Sequence, residues 1–160
     1  MIPDKRALKT ELVLALKAEL AHAEAAYVST RAGATHEEAK PENDKDTRAL
    51  EQTYLARGQA TRVEELRIAV GEVEAMLVPT ANEGTPIGVG MVATVEDQDG
   101  KEHAYFVALH GGGAKLQGGA VQSVTSKSPL GRALVGKRIA DDVEVVIAGK
   151  TRSLAIVRVD

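Results

Sequence analysis

The ionisable residues of the chain are most concentrated in the eleven from His36 to Asp46, HEEAKPENDKD, which hold five carboxylates and two lysines. Carboxylates are the hard oxygen donors that Mg²⁺ takes, yet read alone the run is a solvated loop between helices. His36 stands beside Glu37 and Glu38, but His22, His103 and His110 share no ligand spacing with it and there is no HExxH pattern. No intrinsic metal site is expected from that arrangement. Gly111-Gly112-Gly113 and Gly118-Gly119 lack the GK[ST] ending of a phosphate loop and read as a flexible hairpin loop. Ser123, Ser126 and Ser128 have no neighbouring His and Asp to make one of them a nucleophile. Lys127, Arg132, Lys137 and Arg138 form a local basic group in a half whose net charge is zero. It is either a solvated helix face or a contact for an acidic partner surface. Arg48, Arg57 and Arg62 can attract phosphate without reading bases, because no aromatic platform accompanies them.

The whole composition narrows the choices. One Phe, three Tyr and no Trp among 160 residues leave the core to Leu, Val, Ile and Ala. Helix seams and small sheets suit that supply; an aromatic-lined pocket does not. The lack of Cys excludes disulfides and thiolate metal sites. Lys17 cuts short the apolar stretch Leu12 to Leu16, and no run approaches the roughly 18 apolar residues that a membrane span needs. A cytoplasmic protein without a membrane role is the expectation. A net charge of −3 argues against tight non-specific binding to a nucleic-acid backbone.

Two halves with different periods must position these residues. Val13, Leu16, Leu20, Ala23 and Tyr27, and then Val63, Leu66, Val70, Val73 and Leu77, keep heptad spacing. They predict an antiparallel helical hairpin over 1–78 with its acidic segment at the tip. Asp4 is placed to cap the first helix, Gly33 to end it, and the second helix to begin between Glu42 and Thr47. Each helix would be a rod on the order of 45 Å long. Residues 79–88, with Pro79, Gly84, Pro86 and Gly88, read as a linker. Over 89–160 the period becomes two, with strands expected at Val89–Glu96, Glu102–His110, Ala120–Thr125, Val143–Ala148 and Thr151–Val159. The turns are Asp97-Gln98-Asp99-Gly100 and Gly149-Lys150. One short helix has clear punctuation: Ser128 as cap, Pro129 in the first turn, Gly136 as stop. The fold class is α+β.

The run from Ser126 to Arg138, SKSPLGRALVGKR, followed by Asp141-Asp142-Val143-Glu144-Val145, resembles the C-terminal signature of the Gre family of bacterial transcription elongation factors. Glu42-Asn43 at the hairpin turn, with Tyr54-Leu55 and Gly58 downstream, is similar to the family's first half. The resemblance implies an N-terminal antiparallel coiled coil and a C-terminal domain of FKBP-like topology. It implies that Ser128, Pro129, Leu130, Gly131 and Arg132 lie in the region that docks at the rim of the RNA polymerase secondary channel. The coiled coil would enter that channel, making only indirect contact with the RNA and DNA of the transcription complex.

The same resemblance implies that tip acids share a Mg²⁺ of the polymerase and stimulate cleavage of backtracked RNA. The factor would be an accessory to the polymerase, acting as a monomer with no cofactor of its own. The family's Asp, three residues before the Glu-Asn, falls here on Ala39. Glu42 is kept, and Asp44, Asp46 or Glu38 are the candidates for the missing acid, with Asn43 beside them. The competing outcome is a Gre-like modulator that occupies the channel without cutting. A prolyl isomerase, suggested by topology alone, lacks the aromatic pocket it would need, and a coiled-coil adaptor would be indifferent to its tip acids.

Overall fold

A computed structural model describes residues 3–35 and 47–160. Two long helices come first: α1 (Lys5–Thr35) and α2 (Thr47–Ala75). The strands β1 (Val92–Glu96), β2 (Glu102–Ala108), β3 (Lys115–Leu116) and β4 (Val121–Thr125) follow. A short helix α3 (Pro129–Leu134) precedes β5 (Asp142–Ile147) and β6 (Lys150–Val159). The chain divides into two compact units, one of residues 1–15 with 71–160 and one of residues 16–70.

The first unit is built on a mixed sheet of order β3-β4-β2-β1-β6-β5. Strand β1 is central, so Ala93 and Val95 are buried on one face while Val92 and Thr94 are buried on the other. Ala93, Val95, Val107, Val145, Leu154, Ile156 and Leu134 of α3 belong to one core cluster. Across the sheet, Val92, Phe106 and Val121 are equally buried. The helix ends of this unit supply Leu8, Leu12, Val73 and Met76, all buried. Lys5 Nζ donates to the Pro79 carbonyl at 2.5 Å and Lys9 Nζ to that of Met76 at 2.8 Å, which fixes the two helix ends as antiparallel. Burial lowers the Lys5 pKa, and the Asp160 carboxylate partly offsets this. Glu11 accepts from the Gln117 backbone N–H, and His110 Nε2 meets Glu72 Oε2 at 2.5 Å, so both helices are tied to the β2–β4 connection.

In the second unit Leu16, Val63, Leu66, Ala69 and Val70 are buried along the seam. Arg62 bonds Glu19, and Arg67 bonds Glu24 at 2.9 Å, bridging the two helices.

The expected elements are present, with four differences. Asp4 does cap α1, its Oδ1 accepting from the N–H groups of Arg6 and Ala7, but α1 runs through Gly33 to Thr35. A helix-interior glycine costs about 1 kcal/mol relative to Ala, which a 31-residue helix absorbs. Strand β1 begins at Val92, not Val89, because Gly90 takes φ +84° and turns the backbone. The glycine-rich stretch is no simple hairpin loop between β2 and β4: those strands are parallel, so the connection must cross over. It does so by adding β3 antiparallel to β4. The last hairpin turns on Ala148-Gly149, both with positive φ, and Lys150 already pairs with Ile147. That is the twist a two-residue hairpin favours.

Candidate functional site

Helix α3 and the strand ends around it form the best-built surface feature of the first unit. Ser128 is in extended backbone, its Oγ accepts from the Gly131 N–H at 3.1 Å and donates to the Thr125 carbonyl at 2.8 Å. The Ser128 N–H donates to the same carbonyl, at 3.1 Å. Pro129 occupies the first helical position, where its missing N–H costs nothing. Gly131 is buried, and a Cβ there would meet the Thr125 oxygen at 1.8 Å. Helix α3 therefore lies directly on the end of β4, closer than any side chain would permit.

The far end of the helix is fixed as firmly. Leu134 is fully buried in the core cluster, and Gly136 takes φ +84°. The Gly136 N–H donates to the Ile87 carbonyl at 2.8 Å, and the Ile87 N–H to that of Lys137 at 2.7 Å. The Arg138 N–H then donates to Asp141 Oδ2 at 2.7 Å, leading the chain into β5.

What this scaffold presents is an open groove of about 590 Å³ between α3, the glycine loop and the β5–β6 turn. Pro129 and Leu130 form one wall, Val146, Ile147 and Ala148 the other, with Gly112 and Gly113 at the end. Val146 is 61% exposed, although it sits in a strand whose valines at 143 and 145 are buried. Lys127, Arg132, Lys137 and Arg138 are all exposed on the same helix and its flanks. The arrangement is an apolar trough with basic groups beside it, suited to a protein surface and not to bond-breaking chemistry.

Of the sequence-derived docking residues, Ser128 and Gly131 hold the helix in place, Leu130 is half-buried against the core, and Pro129 and Arg132 face outward. Ser123, set aside as a nucleophile, is a buried pin. Its Oγ accepts from the Ala114 N–H at 2.9 Å and donates to the Gly111 carbonyl, holding the glycine loop to β4. Sequence reasoning missed Val146 and Thr125. An apolar residue out of phase in the alternation DVEVVI was the signal for Val146; Thr125 acts through its carbonyl, which residue type does not reveal. Of the arginines on α2, Arg62 is engaged with Glu19. The tip residues Glu38, Glu42, Asn43, Asp44 and Asp46 lie outside the described residues. Among the described residues no three His, Asp or Glu side chains converge as a metal site.

Residues 82–160 match the family model for the C-terminal domain of the transcription elongation factors GreA and GreB. The second half of the chain is a Gre-family C-terminal domain. It is 32% identical over 98 residues to transcription elongation factor GreA of Paracoccus denitrificans, covering 61% of this chain and 60% of that protein. It is 30% identical over 82 residues to the GreA of Sphingopyxis alaskensis, covering 51% and 49%. The chain thus spans about half to three-fifths of the curated relatives it matches. Among solved structures it resembles the GreA factor homologue Gfh1 of Thermus thermophilus, at 17% identity and a TM-score of 0.42, over 92% of this chain and 94% of that one. The family match takes in the mixed sheet and α3 and lies wholly beyond the two long N-terminal helices.

Proposed function

We propose that this chain is a Gre-type transcription elongation factor that binds RNA polymerase through the groove beside α3 and reaches into the secondary channel with its helical hairpin. The observation that supports docking is the combination at α3: a helix pinned by Ser128 and Gly131, an exposed apolar wall at Pro129 and Val146, and flanking cations. The lengths of α1 and α2, 31 and 29 residues, give an arm of the reach this reading requires, about 45 Å.

In the sequence between α1 and α2 we assign Glu42, Asp44 and Asp46 as the acids that stimulate cleavage of backtracked RNA, with Glu38 and Asn43 as their neighbours in the chain. Their carboxylate oxygens are the donor type that suits Mg²⁺. A Mg²⁺ held by the polymerase would supply charge neutralisation to the attacking and leaving oxygens. A second reading, a channel-occupying modulator that does not cut, is favoured by one observation: Ala39 stands where the family pattern has an aspartate. Misplacing a catalytic group by ~1 Å can cost about a hundredfold in rate.

The test is a stalled, backtracked elongation complex incubated with this protein. Shortened RNA that disappears with Glu42→Ala plus Asp44→Ala supports the cleavage reading. Altered synthesis without shortened RNA supports the modulator. If neither RNA length nor synthesis responds, the proposed function is wrong.

A further inference from the structure

We infer that the outer part of the helical hairpin, residues 17–33 with 47–62, opens as a cooperative unit of its own while residues 63–70 stay folded. The seam changes character within the 16–70 unit. Toward its inner end Leu16, Val63, Leu66, Ala69 and Val70 are buried. Beyond Leu16 on α1, and before Val63 on α2, no described residue is buried. The half-buried positions of α2 there are Ala49, Gln52, Ala56, Gln59 and Ala60, against Val and Leu further in. Alanine adds helix propensity but little apolar area, and most helical stability in proteins comes from packing of the apolar face.

Two further features point the same way. Gln52 and Gln59 are seven residues apart, so they lie on one face of α2, and the Oε1 of each is shielded from solvent with no hydrogen bond from another residue. A desolvated acceptor without a donor is a penalty that opening removes. Gly33 and Gly58 lie inside the helices with nothing within 4 Å of where a Cβ would stand, so neither glycine is there for close packing. Each weakens its helix without a compensating contact. The heptad spacing thus runs the length of the hairpin while the fully buried side chains do not. Leu20, Ala23 and Tyr27 of α1 are only half-buried, and the bridges of Glu19 to Arg62 and Glu24 to Arg67 are exposed and add little. An arm made this way can refit its outer half to a partner without unfolding the rest.

Hydrogen exchange on the full chain tests this. Amides in 20–33 and 47–60 should be protected at least about a hundredfold less than those in 63–70, because sub-global opening exposes them separately. Gln52→Leu with Gln59→Leu should raise outer protection by roughly tenfold or more and leave 63–70 unchanged. Gly58→Ala, which touches no packing, should act in the same direction. Equal protection along the hairpin would overturn the inference. So would a double variant and a Gly58→Ala variant that both leave the outer amides unchanged.

Discussion

The carbonyl oxygen of Thr125 occupies the space into which a side chain at residue 131 would project, and Gly131 alone lets α3 sit on the end of β4. Gly131→Ala must push the helix off the strand, moving Leu130 and Leu134 with it. We expect a loss of about 3 kcal/mol, within the range for overpacking at a buried site. Gly58→Ala, where a Cβ meets nothing, should instead gain about 0.5–1 kcal/mol. Urea unfolding of the two variants distinguishes close approach from mere helix propensity.

Ser128 holds the same helix at its N-terminus. Ser128→Ala removes the cap to the Gly131 N–H and the bond to the Thr125 carbonyl. A cost of about 1–2 kcal/mol is expected from the loss of such a cap. Ser128→Asp, which keeps an acceptor for the Gly131 N–H, should recover part of it. Chemical denaturation checks both.

Acid should loosen the β1–β2 turn. The His103 side chain, and then the backbone N–H groups of Lys101 and Asp99, bond the Asp97 carboxylate and lower its pKa from the ordinary 3.8. A carboxylate with a depressed folded-state pKa contributes stability that is fully present above the unfolded value and is lost as pH falls through the folded one. The wild type should therefore lose stability below roughly pH 4, while Asp97→Asn should start lower and respond less over that window. Thermal melts from pH 6 to pH 2 give the comparison.

Much of the fold was legible because its signals are local. Asp4, Ser128, Pro129 and Gly136 announce helix ends through their own backbone preferences, and the two heptad series mark the helices by spacing alone. What stayed hidden was non-local. The parallel pairing of β2 with β4 follows from the sheet as a whole, and nothing in Gly111 to Gly119 states that the loop must carry a strand of its own. The groove beside α3 was half legible: SPLGRAL gave one wall, while Val146 and Ala148 join it only once β5 and β6 fold back beside α3. Heptad spacing also conceals the change in seam quality, since Gln52 and Gln59 fall in phase with Val63 and Leu66.

The groove can be separated from the fold. Val146→Asp places a charge on an exposed position, so its effect on stability should stay within about 0.5 kcal/mol. Arg132→Glu reverses a side chain that is likewise exposed. Neither should change the circular dichroism spectrum or the melting temperature by more than a degree or two. Unfolding of either variant would mean that these residues serve the scaffold instead of a partner.

Binding to RNA polymerase tests the central claim most directly, measured by titrating the labelled protein with core enzyme. The prediction is saturable one-to-one binding, weakened at least about tenfold by Val146→Asp with Arg132→Glu, as expected for an anchor position in an interface. Loss of Glu42 and Asp44 should leave that affinity nearly unchanged. No saturable binding, or binding indifferent to the groove variants, would contradict the account.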